Sequence, residues 1–319
     1  MTIPEVKLPD GVLFMEMIDR AKGCLLGLAV GDAVGTSVEF EPRGSFEPVA
    51  DMIGGGIFGL EPGQWTDDTS MALCLAASLV EKGGFDPADQ MDRYVRWWKN
   101  GYYSSTGHCF DIGGTIRNAL AAFERTGEPF SGLTDPQSSG NGCIMRIAPI
   151  PIAYQWDEKM AIHYGGESSR TTHGSTQSIE ASQLFTSMLR KAILGADKKS
   201  ILLSSGGFEI TTPSIQKIAE GAYFSKPIDE IRGNGYVVTA LEAALWCFAK
   251  TESFMQAVLK ATNLGEDADT TAAICGQIAG AYYGIGAIPP QWLEKLAMRD
   301  EIEALAQQLV GCTEPGYSR

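Results

Sequence analysis

The chain has 319 residues, of which 44% are hydrophobic, so it can bury a substantial core. This composition excludes collagen-like and intrinsically disordered proteins. With 25 Lys and Arg against 39 Asp and Glu, the formal net charge is −14. Such a field repels nucleic-acid phosphates and anionic lipids, so neither a nucleic acid nor a membrane surface is expected as a partner. An anionic ligand would need positive charge at its own site, and a bound cation is one source.

The seven cysteines are scattered, odd in number and never spaced as Cys-x-x-Cys. This pattern disfavours a disulfide framework and a structural zinc site. No apolar run reaches the roughly 18 residues of a membrane span. The first residues, which include Pro4 and Pro9, do not have the order of a signal peptide. The sequence therefore predicts a cytoplasmic protein.

Residues 1–19 are predicted to form an N-terminal arm, with an apolar stretch from Val12 to Met15. The arm is either a disordered or self-packed tail or a segment that binds a partner. Further along, residues 54–59 match the pattern Gly-x-Gly-x-x-Gly, but Pro62 and Gly63 follow at once, so the segment is predicted to be a loop without a nucleotide. With three histidines in the chain, nucleophilic triads would rest on chance pairings.

Helical spacing dominates the remaining chain. Apolar residues recur at intervals of three and four in four stretches, at Ala72–Leu79, Val238–Phe248, Cys275–Tyr282 and Ile302–Leu309. Thr176 to Leu194 predicts another helix, and Pro289-Pro290 predicts the start of the last long one. Residues 201–215 could be extended, although glycine and proline interrupt them. Length alone suggests about two domains, but no linker stands out, and the sequence predicts a mostly helical fold.

Two acidic clusters directly precede predicted helices: Thr66-Asp67-Asp68-Thr69 and residues 266–271 (Glu-Asp-Ala-Asp-Thr-Thr). One interpretation is helix capping, because Thr and Asp accept hydrogen bonds from the first amides of a helix. The other is a metal site, because one side chain suffices for a cap, whereas four Asp and two Thr oxygens suit a pair of Mg²⁺ or Mn²⁺ ions. No nitrogen or sulfur ligand accompanies the clusters, which disfavours zinc.

Seven blocks in the same order carry a resemblance to a known family. They are GCLLGLAVGDAVGTSVEF (23–40), WTDDTSMAL (65–73), HCFDIGGTIRNAL (108–120), GNGCIMRIAPI (140–150), THG (172–174), GYVVTALEAALWCF (235–248) and LGEDADTTAAICGQIAGAYYG (264–284). Together they are similar to the ADP-ribosylglycohydrolases, above all to the bacterial branch typified by the dinitrogenase reductase-activating glycohydrolase. The resemblance implies a compact all-α fold, a single domain over residues 20–319, and a dinuclear Mg²⁺ or Mn²⁺ centre between helix N-termini.

The resemblance also implies roles for individual residues. Glu39 matches a catalytic or gating carboxylate, and Asp111 matches an acid beside the substrate, although Asp111 could equally cap a helix over Thr115–Phe123. Gly114 departs from the pattern, since related members often carry Asn there. The implied metal ligands are Thr66, Asp67, Asp68, Asp267, Asp269 and Thr270. The implied substrate-binding residues are Gly113, Gly140, Asn141, Gly142, Met145, Arg146, His173 and Tyr236.

Three of the implied substrate contacts have structural alternatives. Arg146 could add charge beside a diphosphate held by the glycine amides of residues 140–142, or it could be a structural ion-pair residue. His173 could be a satisfied structural histidine, and Tyr236 could pack in the core.

The function that the resemblance implies is hydrolysis of the N-glycosidic bond between ADP-ribose and a protein arginine, which reverses ADP-ribosylation. One alternative is an immunity protein that blocks an ADP-ribosyltransferase toxin through residues 1–19. The other is a hydrolase of a different ADP-ribose linkage.

Overall fold

A computed structural model describes residues 14–204 and 206–312. Over these ranges the only β pairing is three isolated bridges, and the prediction of an all-α fold is confirmed. The α-helices are α1 (Phe14–Gly35), α2 (Asp67–Lys82), α3 (Pro87–Asn100), α4 (Gly114–Thr126), α5 (Pro149–Ala153), α6 (Glu158–Arg170), α7 (Thr176–Ile193), α8 (Lys198–Leu202), α9 (Pro213–Ala219), α10 (Val237–Ala249), α11 (Phe254–Thr262), α12 (Ala268–Tyr283), α13 (Pro290–Lys295) and α14 (Arg299–Val310). Short 3₁₀ helices lie at Thr36–Val38, Pro136–Ser138, Asn141–Cys143, Ala222–Ser225, Ile228–Glu230 and Ile285–Ala287.

Helix α1 is the central element of the core. Almost every residue from Ala21 to Gly35 is buried, as expected for a helix that is surrounded by protein on all sides. Residues 14–19, which the sequence analysis assigned to the arm, are the first turns of α1, and Met17 is fully buried. Residues 1–13 lie outside the described ranges. No helix within those ranges is both long and apolar enough to span a membrane.

Helices α1 and α12 pack against each other in antiparallel directions at unusually close range. Glycines repeat every four residues along α1, and a Cβ atom at Gly27 or Gly31 would collide with the backbone carbonyl of Gly276 or Ala272. Small residues let two helix backbones approach this closely. The end of α1 therefore lies against the start of α12, where Gly35 meets Ala268.

One detail of the predicted elements is wrong. Pro290 begins only the six-residue helix α13, because Leu296 leaves the helical conformation, and the last long helix begins at Arg299. The described residues of the segment 201–215 form no strand; α8 ends at Leu202 and α9 begins at Pro213. The loop over 54–59 is as predicted, since no helix follows it before Asp67.

Candidate metal centre and substrate pocket

The two acidic clusters lie at the N-termini of α2 and α12. Thr66 occupies the N-cap of α2, and Asp267 occupies the N-cap of α12. Neither side chain accepts a hydrogen bond from the amides of its helix, as a capping side chain would. Hydrogen-bonded capping therefore does not explain either cluster. Asp111 is not a cap either, because Gly113 occupies the N-cap of α4.

Carboxylates from both clusters converge in two adjacent groups. In one group, carboxylate oxygens of Asp32, Asp68 and Asp269 lie within 4.8 Å of one another. In the other, the same holds for Glu39, Asp267 and Asp269. Asp269 belongs to both groups, so the two form one continuous centre. The fold thus joins acids that are about 200 residues apart in sequence, through the packing of both α2 and α12 on α1.

The threonines of both clusters point into the same centre. The Thr66 hydroxyl lies 3.0 Å from an Asp32 oxygen and 3.1 Å from oxygens of both Asp68 and Asp269. The Thr270 hydroxyl lies 3.3 Å from Asp68. Each hydroxyl has one hydrogen to donate, so two threonines cannot satisfy this number of carboxylate oxygens.

Within the described ranges, no cationic side chain compensates the charge of the centre. No Lys, Arg or His of the described ranges forms an ion pair with its acids, as the ion pairs in the structure all lie elsewhere. Burial raises the pKa of Glu39 to about 10, and the Asp111 carboxylate adds to the shift. Burial also raises the pKa values of Asp68 and Asp269 well above their usual range. Burial and the mutual repulsion of these carboxylates both favour their protonated forms.

A hard divalent cation fits this donor set. One oxygen each of Glu39, Asp68 and Asp269 is buried without any hydrogen-bond partner. Buried polar atoms are normally paired, and an orphaned one often marks an ion. Every ligand atom of the two groups is a carboxylate oxygen, which is the preference of Mg²⁺ and Mn²⁺ and not of zinc. The metal interpretation of the acidic clusters is the one that their chemistry supports.

The sequence analysis did not identify Asp32. This fully buried acid of α1 accepts hydrogen bonds from the amide of Thr66 at 2.9 Å and the amide of Thr69 at 3.0 Å. It also accepts bonds from both hydroxyls. Asp32 therefore fixes the first turn of α2 beside α1. A single aspartate between Leu28 and Val34, in an otherwise apolar helix, was the available signal, because a buried charge requires partners.

A cavity of about 550 Å³ opens onto the centre, a size typical of small-molecule sites. Glu39, Asp67 and Asp111 line one side of it, and the start of α4 at Gly113 and Gly114 continues that wall. Burial raises the pKa of Asp111 to about 7, with the carboxylates of Asp267 and Asp32 adding to the shift. The cavity thus contains an acid that can bind or release a proton near neutral pH.

The segment 140–142 forms another wall of the cavity, together with Met145 and His173. The Asn141 side-chain amide donates a 2.7 Å hydrogen bond to Asp267, which ties this loop to the carboxylate centre. The His173 ring lies directly against the loop, since a Cβ atom at Gly140 would sit 3.0 Å from its Nε2. Side chains at these glycines would collide with the ring.

Two residues that are expected to contact the substrate are not among those that line the cavity. Arg146 is fully buried and does not line the cavity, so it cannot contact a ligand there. It is not an ion-pair residue either, because no acid of the described ranges lies within 4 Å of its guanidinium. Tyr236 is 38% exposed, which excludes core packing. Its hydroxyl donates to Gln177, and its neighbour Gly235 lines the cavity in its place.

The family model for ADP-ribosylglycohydrolases matches residues 15–318, which include this whole site. The chain belongs to the ADP-ribosylglycohydrolase family. It is 46% identical over 294 residues to the ADP-ribosylarginine hydrolase Tri1 of Pseudomonas putida (strain GB-1), covering 92% of this chain and 78% of that protein. It is 44% identical over 309 residues to Tri1 of Serratia proteamaculans (strain 568), covering 97% and 82%.

Two further matches cover most of this ADP-ribosylglycohydrolase. The ADP-ribosyl-[dinitrogen reductase] glycohydrolase of Rhodospirillum rubrum is 31% identical over 293 residues, covering 91% of this chain and 94% of that protein. A solved ADP-ribosylglycohydrolase-related protein complex contains a chain with a TM-score of 0.81 and 42% identity, covering 94% of this chain and 100% of that one. The names of the three relatives describe hydrolases, and none describes a toxin-blocking role. The immunity alternative therefore has no support from them.

Proposed function

We propose that this chain hydrolyses the N-glycosidic bond between ADP-ribose and an arginine side chain of a modified protein. The observation that carries the proposal is the carboxylate centre with unpartnered oxygens at the base of a cavity sized for a nucleotide ligand. The two Tri1 relatives are named for this same activity. The substrate is therefore an ADP-ribosylated protein.

Two Mg²⁺ or Mn²⁺ ions are proposed for the centre, held by Thr66, Asp67, Asp68, Asp267, Asp269 and Thr270. When bound, divalent ions supply positive charge that orients ribose hydroxyls and makes nearby water more acidic. They also supply the local positive charge that an anionic ligand needs on a protein with a net charge of −14.

Proton transfer falls to Asp111 or Glu39, two acids that line the cavity and are not among the six proposed ligands. The bond between the anomeric carbon and the guanidine nitrogen breaks, and a bond from water to that carbon forms. One carboxyl accepts the proton released by the water and returns a proton to the departing guanidine. Both side chains line the cavity beside the centre, so either one has the required access.

The other walls of the cavity bind and orient the ADP-ribosyl group. The Gly140-Asn141-Gly142 segment brings backbone amides to the surface of the cavity without bulky side chains, an arrangement suited to phosphate oxygens. Met145 and His173 complete that wall, and Gly113 also lines the cavity. The described ranges contain no disulfide, which supports a reaction in the reducing cytoplasm.

The direct experiment measures release of ADP-ribose from an arginine-ADP-ribosylated protein with Mg²⁺, with Mn²⁺ and with EDTA. A serine-ADP-ribosylated protein serves as the control for linkage. We expect release from the arginine-linked protein that depends on the metal. No release by a folded, metal-loaded sample would overturn the proposal, and release from the serine-linked protein alone would transfer it to another linkage.

The proton-transfer assignment predicts different consequences for Asp111→Asn and Glu39→Gln. We expect the substitution of the acid–base residue to lower kcat by about 10²- to 10⁴-fold, and the other to have a smaller effect. Steady-state kinetics on the arginine-linked substrate, with Kd for ADP-ribose as the control for an intact pocket, distinguish the two. If both variants retain wild-type turnover, the assignment is wrong.

A further inference from the structure

Arg146 is a buried cation for which the mechanism above has no use. Its guanidinium is fully buried, its Nε has no hydrogen-bond partner, and no carboxylate of the described ranges pairs with it. It lies over the Tyr94 ring, 4.7 Å from the ring centroid. Its only short hydrogen bond is the 2.6 Å bond from Nη2 to the Thr172 hydroxyl. A buried charge is costly, so this placement calls for a role.

The Thr172 hydroxyl connects Arg146 to the cavity wall. Thr172 is fully buried, and its Oγ1 lies 2.8 Å from Nδ1 of His173. A guanidinium only donates hydrogen bonds, so Thr172 Oγ1 must accept from Arg146. The hydrogen of that hydroxyl then has one acceptor within the described ranges, Nδ1 of His173.

This chain of bonds selects one tautomer of His173. If Nδ1 accepts from Thr172, it carries no hydrogen, and the hydrogen of the neutral ring must be on Nε2. The opposite tautomer would leave the buried Thr172 hydroxyl hydrogen without an acceptor, which costs free energy. Burial, reinforced by the Arg146 charge, lowers the pKa of His173 to about 3, so the ring is neutral at physiological pH.

The ring is also fixed in place by its backbone. The His173 amide donates to the Ser169 carbonyl at 2.7 Å, and the Ser169 hydroxyl donates to the His173 carbonyl at 2.9 Å. On the other side, the ring edge lies against Gly140 and Gly142, whose Cβ positions would fall 3.0 Å from Nε2 and 2.9 Å from Cε1. The Nε2 edge therefore faces the glycine loop at the wall of the cavity.

We propose that Arg146 and Thr172 are positioning residues for substrate binding, which fix His173 in the Nε2–H tautomer so that it donates a hydrogen bond to a phosphate oxygen of the ADP-ribosyl group. The inference rests on the proposed function for the identity of that group. Arg146 thus acts on the ligand through two intervening side chains and does not contact it. This role gives a reason for a buried arginine near the 140–142 loop, although Arg146 does not line the cavity.

The test compares two adjacent, fully buried threonines. Thr172→Val removes the hydroxyl that joins Arg146 to His173. Thr171→Val is the matched control, because the Thr171 hydroxyl donates to the Ser168 carbonyl, accepts from Arg146 only a long 3.5 Å bond and does not touch His173. Thr172→Ser keeps the hydroxyl and should restore the wild-type behaviour.

The first readout is the ¹⁵N NMR spectrum of the histidine rings in the Mg²⁺-loaded full chain. Substitution of the other two histidines, His108 and His163, assigns the His173 signals. We expect wild type, Thr171→Val and Thr172→Ser to show an unprotonated Nδ1 and a protonated Nε2 from pH 5 to 8. In Thr172→Val, the ¹⁵N chemical shifts of Nδ1 and Nε2 of His173 should move towards each other, because the tautomer is no longer fixed.

The second readout is the Kd for free ADP-ribose and the separation of KM from kcat. Loss of a hydrogen bond to a charged oxygen should weaken ADP-ribose binding by about 10-fold or more in Thr172→Val. KM should rise while kcat changes little, because the contact is made equally in ground and transition states.

The inference is overturned if wild-type His173 carries its hydrogen on Nδ1, or if Thr172→Val binds ADP-ribose as tightly as Thr171→Val does. The spectrum reports the tautomer whether or not hydrolysis occurs. A protein that shows the expected tautomer and binds ADP-ribose, but releases none from a modified arginine, would refute the proposed activity alone.

Discussion

Two buried sites of this protein carry opposite charges, and neither is neutralised by an ion pair within the described ranges. The carboxylate centre at the starts of α2 and α12 contains acids without cations, and some of their oxygens have no hydrogen-bond partner. Arg146 is a cation without an acid, but its Nη2 donates to the Thr172 hydroxyl. Most buried charges are paired, so each site needs its own explanation.

The two sites differ in whether a ligand can reach them. Glu39, Asp67 and Asp267 line the cavity, so a cation from solution can complete the carboxylate centre. Arg146 has no exposed surface, so nothing from solution can neutralise it. The carboxylate centre can therefore bind an ion, whereas the Arg146 guanidinium can act only on the side chains around it, Thr172 and through it His173.

The largest effect that this comparison predicts comes from Asp269→Asn. Asp269 contributes to both groups of carboxylates, so its replacement should weaken binding at both of the proposed metal positions. We expect ADP-ribose release at about 1 mM Mg²⁺ to fall by about 10³-fold or more, as for a lost electrostatic centre. Calorimetric titration with Mg²⁺ should show the loss of affinity directly.

The control for Asp269→Asn is Asp300→Asn, which changes an exposed acid in the first turn of α14. This variant should retain wild-type activity and metal affinity. Wild-type activity of Asp269→Asn would mean that the carboxylate centre is not the functional metal site.

A smaller effect concerns the pH dependence of stability without metal. The pKa of Asp111 is about 7 and that of Glu39 about 10 in the folded protein, both above the values of about 4 in an unfolded chain. The folded state therefore binds more protons than the unfolded state between about pH 4 and 7, and the free energy of unfolding should fall as pH rises through that window. Each proton contributes a slope of about 1.4 kcal/mol per pH unit.

Urea unfolding at pH 5, 6, 7 and 8, with EDTA and with saturating Mg²⁺, measures this slope. Mg²⁺ should flatten it, because a bound cation favours the ionised carboxylates. Asp111→Asn should reduce the slope without metal, since it removes one of the two groups. A metal-free protein with constant stability from pH 5 to 7 would show that these acids are compensated in some other way.

Much of the fold could be predicted from local sequence patterns. The three-four spacing of apolar residues predicted α2, α10, α12 and α14, and the helix predicted from Thr176 to Leu194 is α7. The break between α13 and α14 was missed, because nothing local in the sequence announces the left-handed conformation of Met298. The four-residue glycine repeat in α1 was a readable signal of close packing against α12. Asp32 of the same helix holds the start of α2, so α1 brings the two acidic clusters together.

The site was less accessible to sequence reasoning. The acidic clusters stood out because like charges repeat at two helix starts, but the sequence could not show that the flanking residues fail to cap. The burial of Arg146 could not be foreseen, because an arginine four residues after a glycine loop is equally consistent with an exposed contact. Side-chain direction behind a loop depends on tertiary packing, here on Thr172 and Tyr94, which are distant in sequence.

The smallest effect on the free energy of unfolding is expected from the removal of the Arg146 charge. Arg146→Met should change the free energy of unfolding by no more than about 1 kcal/mol, because an unpaired buried charge can be replaced by an apolar side chain at little cost. The control is Arg93→Met. Arg93 is also buried but donates 2.6 Å hydrogen bonds to both Glu81 and Asp89.

Loss of those paired contacts in Arg93→Met should destabilise the protein by about 2–3 kcal/mol. Urea unfolding at pH 7 compares the two variants, and ADP-ribose binding should weaken in Arg146→Met alone. Equal destabilisation by both would mean that Arg146 stabilises the fold as an ordinary buried donor. The comparison would then fail. The carboxylate centre would still bind an ion, but Arg146 would need no functional explanation, because it would only stabilise the fold.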